Sequence, residues 1–372
     1  MAQRMHWRRF LPVVFLSGLL LACGESEPIR LGFIGGVSGR FADLGTTGRN
    51  GVMLAIEERN ARGGIGGRRI ELLIKDDEQD PAKATQVLAE LVADKVTAVL
   101  GPMTSSIAAV LVPAADKAGM LLVGGTVTTS GLTGKDDNFV RTISTTTEYG
   151  SHAARHYRQR YGFKRSALIF DLANRDYTEN WAKEFAQTFE REGGKVVASV
   201  GFDSRVEKDY AQLIDRLLAG KPDLIAIAAN SVDGALLAQK LRQSDRHVRL
   251  AGSAWTGTQR LTELGGAAVE GMLIEQYYNQ DDTSPAYLRF RADYHKRFGY
   301  DPGFAGVVAY DAAGLLLDVL AKNPQKAGLK DRMVQMGSYQ GVQGVIHIDR
   351  FGDAQRPITM TEVRDGRIVL AP

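Results

Sequence analysis

Short apolar runs alternate with segments whose apolar residues recur every three or four positions, almost to the end of the chain. The apolar runs predict buried β-strands, and the spacing of three or four predicts amphipathic helices. Strands are predicted over residues 29–34, 70–75, 97–100, 120–123, 167–170, 196–200, 224–228 and 272–275. Helices are predicted around Val52 and Ile56, after the Gly101-Pro102 turn, and over 81–92, 180–189, 210–218 and 234–241.

Repeated strand–helix units predict an α/β fold of parallel sheets with helices on both faces. The number of units exceeds what one sheet holds comfortably, so two doubly wound domains are predicted. The end of the chain differs, because residues 342–348 and 359–370 have the pattern of hairpins. Open α/β sheets bind ligands outside the carboxyl ends of their strands, so two facing domains would share a cleft there.

Small polar residues follow four of the predicted strands, over 35–39, 101–106, 124–130 and 229–231, which supports one shared site. Ser105 and Ser106 stand at the start of the helix in the second of these clusters. A helix start offers unpaired N–H groups and a partial positive charge, so the two hydroxyls predict an anion site. The alternative is a plain helix cap with solvated hydroxyls.

The loop over residues 124–134 carries four threonines and a serine, whose hydroxyls can donate or accept hydrogen bonds. An ordinary polar surface loop is the alternative. The residues expected to close on the other end of the ligand, from the second domain, are Tyr149, Tyr177, Asn230 and Trp255. For the aromatic residues the alternative is packing beneath loops.

Composition and charge narrow the class of protein. The 372 residues are 44% hydrophobic and 24% charged, as expected for a globular chain of two domains. Three of the 46 basic residues lie in the first 22 positions, so the remainder balances the 43 acidic residues. A neutral body gives no support for binding nucleic acid, which requires clustered Lys and Arg.

Residues 1–22 begin with basic residues and continue with an apolar run too short to span a bilayer comfortably, which predicts a secretory signal. The segment ends in Leu20-Leu21-Ala22-Cys23, which resembles the lipobox of bacterial lipoproteins. We therefore expect lipidation of Cys23, a lipidated tether over 23–28 and a lipid-anchored periplasmic or cell-surface protein. The alternative is an ordinary signal peptide with an incidental cysteine. Cys23 is the only cysteine, so no intramolecular disulfide is possible.

The sequence lacks the common enzyme motifs. Gly32, Gly35 and Gly39 do not reproduce GxGxxG, and neither GxxxxGK[ST] nor GxSxG occurs. His152 and His156 have the spacing of zinc ligands without the glutamate of HExxH. The acidic cluster at 76–78 is interpreted as a solvated strand end. No catalytic residue, metal or cofactor is therefore predicted.

Several stretches in order resemble the leucine/isoleucine/valine-type solute-binding proteins of ABC transporters. They include "IRLGFIGGVSGRFADLG", "VLGPMTSSIAA", "TSGLTG", "AVEGML" and "VAYDAAGLLLDVL". The resemblance implies the type I periplasmic-binding fold, with two lobes joined by three crossovers near 141–146, 276–278 and 355–359. Lobe one would comprise 28–143 and 279–355, and lobe two 144–277 and 356–372.

The resemblance also implies roles for individual residues. Ser105 would hold a ligand carboxylate, Thr128 both ligand ends, Thr126 a contact through its carbonyl, and Tyr177 a contact from lobe two. The family's two ammonium-binding acidic positions carry Ala254 and Thr146 here. Either an acidic residue elsewhere substitutes or the ligand has no α-ammonium; the candidates for substitution are Glu148, Asp171, Asp176 and Asp233. Cysteines that form a disulfide in some members are replaced here by Gln79 and Thr104. Positions that would form the wall around the ligand side chain fall on Leu44 and near Asn230.

These observations predict a monomeric binding protein that delivers a small polar solute, an amino acid or a related carboxylate or amide, to an ABC permease in the inner membrane by hinge closure. The first alternative is a ligand-sensing subunit of a receptor or regulatory system with the same fold. The second is a hydrolase, which the absent motifs disfavour.

Overall fold

The computed structural model describes residues 27–206 and 209–371. The predicted signal over 1–22, Cys23 and most of the predicted tether lie outside the described residues. The strands are β1 (Ile29–Gly35), β2 (Ile70–Asp76), β3 (Val99–Leu100), β4 (Leu122–Gly124), β5 (Phe139–Arg141), β6 (Arg165–Asp171), β7 (Lys195–Phe202), β8 (Leu224–Ala228), β9 (Arg249–Gly252), β10 (Leu273–Gln276), β11 (Ser338–Gly341), β12 (Gly344–Ile348), β13 (Ala354–Gln355), β14 (Thr359–Arg364) and β15 (Arg367–Leu370).

The helices alternate with these strands over most of the chain. They are α1 (Ala42–Ala61), α2 (Pro81–Ala93), α3 (Ser105–Lys117), α4 (Thr146–Tyr161), α5 (Arg175–Arg191), α6 (Ala211–Leu218), α7 (Ser231–Ser244), α8 (Gln259–Gly265), α9 (Pro285–Phe298), α10 (Phe304–Lys322) and α11 (Leu329–Val334).

Two main sheets form the centres of two lobes. The first sheet has five parallel strands in the order β2-β1-β3-β4-β5. The second has seven strands in the order β15-β14-β10-β9-β8-β6-β7, of which β6 to β10 are parallel and the C-terminal hairpin β14–β15 is antiparallel. The predicted fold of two doubly wound α/β lobes is confirmed.

The chain passes between the sheets three times over the described residues. It leaves the first sheet after β5, returns after β10 to place α9 and α10 against α1, and crosses again between β13 and β14. A small antiparallel sheet, β11-β12-β13, precedes the last crossing. The residue boundaries expected for the lobes remain a prediction.

Local sequence signals explain where several helices begin and end. Thr145 caps α4 and forms a reciprocal capping box with Glu148, and Gly162 ends that helix in the left-handed conformation. Pro81 and Pro285 occupy the first turns of α2 and α9, where a missing N–H costs nothing.

Helix α10 is long and apolar enough to cross a membrane by length and composition. However, most of the helix is buried inside the protein, where α10 packs along α1. The helix is therefore a core element of the first lobe.

All eight predicted strands are present, with ends shifted by a few residues. The short strands β5, β9 and β13 were not predicted. The hairpin expected over 342–348 was placed wrongly: the chain turns between Gly341 and Gly344, so its two strands are β11 and β12. The hairpin expected over 359–370 is confirmed, and it turns at Asp365 and Gly366.

Candidate functional site

The carboxyl ends of strands from both sheets meet around a narrow cavity between the lobes. Its volume of about 20 Å³ is roughly that of one water position, so the two lobes are closed on each other. The lining residues are Leu44, Met103, Thr104, Ser105, Thr126, Asn174, Tyr177, Trp255, Tyr277 and Phe304. A wider cleft of about 730 Å³ shares Leu44 and Phe304 with this cavity and opens between the lobes on one side.

Ser105 lies at the first turn of α3, immediately after a tight turn. The turn requires Gly101, since its φ is +117° and an added Cβ would lie 2.2 Å from the Ile34 carbonyl oxygen. The Ser105 Oγ accepts hydrogen bonds from the backbone N–H groups of Thr128 (3.4 Å) and Thr129 (3.3 Å). Ser105 and the Thr128 loop therefore form one unit, as a shared binding site requires.

The threonines of this loop are differently engaged. Thr126 lines the cavity, and its Oγ1 donates to the Met103 carbonyl oxygen at 2.6 Å. The Thr128 Oγ1 is buried and has no hydrogen-bond partner among the described residues. Arg141 fixes the loop by donating to the Thr129 carbonyl oxygen at 2.9 Å. The Thr128 hydroxyl is thus a free polar group of this loop, although Thr128 itself is not among the residues that line the cavity.

Ser106 does not line the cavity; it connects the lobes. Its N–H donates to Asn174 Oδ1 at 3.1 Å, and its Oγ donates to Asp176 Oδ2 at 2.8 Å. On the opposite side, Ser231 Oγ donates to Asp43 Oδ2 at 2.9 Å. Together with a bond from Thr258 to Asp43 and one from Asn180 to Thr129, these contacts form what we call the lobe latch.

Tyr177 and Trp255 reach the cavity from the second lobe. Their rings meet edge to face with centroids 6.0 Å apart, and Trp255 also packs on Phe41 of the first lobe at 5.4 Å. The Tyr177 hydroxyl has no hydrogen-bond partner in the described part of the chain. These two residues occupy the place expected for a wall opposite Ser105.

The other two residues expected on that wall lie elsewhere. Tyr149 is buried behind Tyr277, with ring centroids 4.5 Å apart, and does not line the cavity. Asn230 caps α7: its Oδ1 accepts from the Asp233 N–H at 3.0 Å, and its Nδ2 donates to the Asp233 carboxylate. Capping, which the sequence analysis did not consider for Asn230, occupies both ends of its amide.

A hydrogen bond joins Thr104 and Gln79, the two positions where the sequence resemblance would place disulfide-bonded cysteines. Thr104 Oγ1 donates to Gln79 Oε1 at 2.9 Å, and the Gln79 N–H and Nε2 both donate to Asp77 Oδ1. Asp77 is fully buried, and burial raises its pKa to about 6. The interpretation of residues 76–78 as a solvated strand end was therefore wrong for Asp77.

The four acidic residues considered as substitutes are held by other partners. Glu148 belongs to the capping box of α4, and Asp176 accepts from Ser106 in the lobe latch. Asp171 accepts from the Ser204 Oγ at 2.7 Å, and Asp233 accepts from the Tyr210 hydroxyl at 2.5 Å.

Sequence reasoning missed Glu275, the one charged residue in the predicted strand 272–275. Its carboxyl is fully buried; Oε1 accepts from Trp181 Nε1 at 2.7 Å and from the Ala254 N–H at 3.1 Å. Burial raises the pKa of Glu275 to about 8. The available signal was an acidic residue inside an otherwise apolar run, since such a residue is rarely buried without a partner.

Two of the three crossings are joined to each other by hydrogen bonds. The Arg356 N–H donates to Ser144 Oγ at 2.9 Å, and Ser144 Oγ donates to the Arg356 carbonyl oxygen at 3.2 Å. The Arg356 guanidinium forms a buried ion pair with Asp311 on α10 at 2.7 Å. The first and third crossings are thereby held to each other and to the first lobe.

Within the described residues, no group of three His, Cys, Asp or Glu is placed to hold a metal ion. His152 and His156 stack on α4 with centroids 6.3 Å apart, and partial burial lowers the pKa of both.

Comparison with known proteins gives a matching family, a similar relative and similar solved structures. A family model described as "Periplasmic binding protein" matches residues 28–367. The leucine-, isoleucine-, valine-, threonine-, and alanine-binding protein of Pseudomonas aeruginosa is 27% identical over 354 residues, which cover 93% of this chain and 92% of that protein.

Solved structures share the fold at lower identity. A branched-chain amino acid transporter substrate binding protein from Streptococcus pneumoniae, in complex with isoleucine, is 23% identical with a TM-score of 0.85, covering 92% of this chain and 99% of that one. A solute-binding protein from R. palustris, in complex with benzoate, is 19% identical with a TM-score of 0.83, covering 92% and 95%.

Proposed function

Because the chain belongs to the periplasmic binding protein family, we propose that it captures a small polar solute between its lobes and delivers it to an ABC permease in the inner membrane. The solute is an amino acid or a related carboxylate or amide. Capture closes the lobes by a hinge motion about the three crossings, and the closed form engages the permease. The relatives it matches are binding proteins, which supports a role without catalysis.

The arrangement around Ser105 is the observation that carries this proposal. Its Oγ accepts from two backbone N–H groups, so its own O–H is left to donate. The free Thr128 hydroxyl stands in the same loop, and the N-terminus of α3 adds a partial positive charge. These groups suit a carboxylate or amide oxygen, and Tyr177 and Trp255 close over it from the opposite lobe.

We further propose lobe boundaries at 28–143 with 279–355 and at 144–277 with 356–372. A lipid anchor on Cys23 would hold the protein, as a monomer, at the periplasmic or cell-surface side of a membrane. Support for the anchor comes from the lipobox-like sequence alone, and support for the location comes also from the family.

A thermal-shift screen of the purified protein tests the binding role, since a solute that binds the folded state raises its apparent stability. The panel contains aliphatic and aromatic amino acids, benzoate and its hydroxylated forms, and small amides. We expect at least one class to raise Tm and the rise to shrink in Ser105→Ala. Ser151→Ala is the matched control, because that serine bonds Thr188 between α4 and α5, outside the cavity. A panel that leaves Tm unchanged throughout would refute the proposal.

A further inference from the structure

Three buried polar atoms on the second lobe have no hydrogen-bond partner within the described residues: the Tyr177 hydroxyl, Ser253 Oγ and Glu275 Oε2. Such groups are rare in folded proteins, since each loses its hydration without compensation. Tyr177 lines the cavity between the lobes, and Ser253 precedes the Ala254 N–H that binds Glu275. Tyr177 is the one of the three that lines the cavity, and its hydroxyl faces Ser253 and lies near Glu275. The three groups therefore indicate a polar subsite behind the Tyr177 side of the cavity.

Glu275 lies at the end of this subsite, on β10 just before the second crossing. Burial raises the pKa of Tyr177 and Tyr277, which both line the cavity, and the neighbouring Glu275 carboxylate raises both further. Its Oε1 is satisfied by two N–H donors, and its Oε2 is free.

No cation compensates Glu275 over the part of the chain that the structure describes. Its pKa is governed by burial and by N–H donors, and no ion pair among the described residues includes it. Burial raises the pKa of Tyr149 and the nearby charge of Arg356 opposes that rise, but Arg356 is already paired with Asp311. A buried carboxylate is costly unless it is paired, so this subsite favours a positively charged group brought by the solute.

We propose that Glu275, with the hydroxyls of Tyr177 and Ser253, binds the ammonium group of the solute, whose carboxylate lies at Ser105 and Thr128. The inference rests on the proposed function and narrows it to zwitterionic solutes. It favours them over simple carboxylates such as benzoate, because only a positively charged group offsets the cost of ionising Glu275 in its buried position.

Proton release accompanies binding in this arrangement. The titratable groups that face Glu275 are the hydroxyls of Tyr157 on α4, Tyr177 on α5 and Tyr277 after β10; burial raises the pKa of each, so they keep their protons. His156, which packs on Tyr157, has a lowered pKa and is neutral above pH 7. Glu275, with a pKa of about 8, must therefore lose its proton to accept an ammonium group.

The experiment compares compounds that differ only in the amino group, using the full-length protein. The pairs are L-leucine with 4-methylpentanoate, L-phenylalanine with 3-phenylpropanoate, and 4-(aminomethyl)benzoate with benzoate. Thermal shift identifies the binding pair, and calorimetry gives its Kd at pH 6.5 and pH 8.5. We expect the amino member to bind and its affinity to rise about 20-fold between these pH values, as the ionised fraction of a group with a pKa near 8 does.

Glu275→Gln should abolish both the preference for the amino member and the rise in affinity with pH. Glu148→Gln is the control, because glutamine also serves at that capping position and both effects should persist. Circular dichroism verifies that each variant is folded, and Glu275→Asp should restore part of the pH dependence.

Other outcomes overturn the assignment. If the compounds without an amino group bind as well or better, or if affinity falls towards pH 8.5, Glu275 does not bind an ammonium group, while solute capture stands. If Glu275→Gln keeps the preference, another residue provides it. If no compound of either class binds, the ammonium assignment and the proposed capture of small carboxylates fail together.

Discussion

Replacing Glu275 by glutamine should change how the stability of the protein without added solute depends on pH. The carboxyl is fully buried, and its pKa is raised from an ordinary value of 4.5 to about 8. Between these values the folded protein holds a proton that the unfolded chain has released. Stability therefore falls as the pH rises from about 4.5 towards 8, and a glutamine at this position removes that slope.

The magnitude follows from the two pKa values. At pH 7, which is about 2.5 units above the ordinary pKa of 4.5, Glu275 is still protonated in the folded protein. At about 1.4 kcal/mol per unit, wild type loses about 3 kcal/mol relative to Glu275→Gln between pH 4.5 and pH 7. Glutamine retains an oxygen that can accept from Trp181 and the Ala254 N–H, so little else changes.

Urea denaturation of both proteins at half-unit pH steps from 4.5 to 8 measures this difference directly. Glu148→Gln provides the control for the loss of one carboxylate outside the subsite. Parallel stability curves for wild type and Glu275→Gln would mean that Glu275 titrates normally, and the argument from its burial would then be wrong.

Two further predictions concern the cavity and the crossings. Ser105→Ala should weaken solute binding by about 1–3 kcal/mol in calorimetry, the value of a hydrogen bond to a charged group, and unchanged affinity would remove Ser105 from the site. Arg356→Met should lower the free energy of unfolding by about 3–5 kcal/mol, because it leaves Asp311 buried without its partner. Adding Asp311→Leu should recover much of that loss; a single variant as stable as wild type would show that the pair is not buried in solution.

The fold was largely predictable because parallel strands buried on both faces appear as continuous apolar runs. All eight such runs correspond to strands, whereas the strands that were not predicted, β5, β9 and β13, have only three, four and two residues and carry almost no periodic signal. Hairpin 338–348 was misplaced because its first strand alternates in exposure and contains few apolar residues.

The site was predictable only where a polar residue directly follows a strand. That rule placed Ser105, Thr126, Tyr177 and Trp255 around one cavity. The same rule also predicted that Asn230 lines the cavity, since the sequence does not distinguish a ligand contact from a helix cap. It also missed Glu275, because a residue inside a strand becomes informative only once its depth and its unsatisfied oxygen are known.

The lobe latch affects how often the protein closes with and without a solute. Its hydrogen bonds run from protein to protein, so they favour closure by the same amount whichever cargo is held. Solutes of different length can thus give the same closed conformation, and the outer surface of that conformation is what a docking partner contacts. The same bonds also determine how often the protein closes without a solute. They therefore set a minimum rate of transporter cycles that carry nothing.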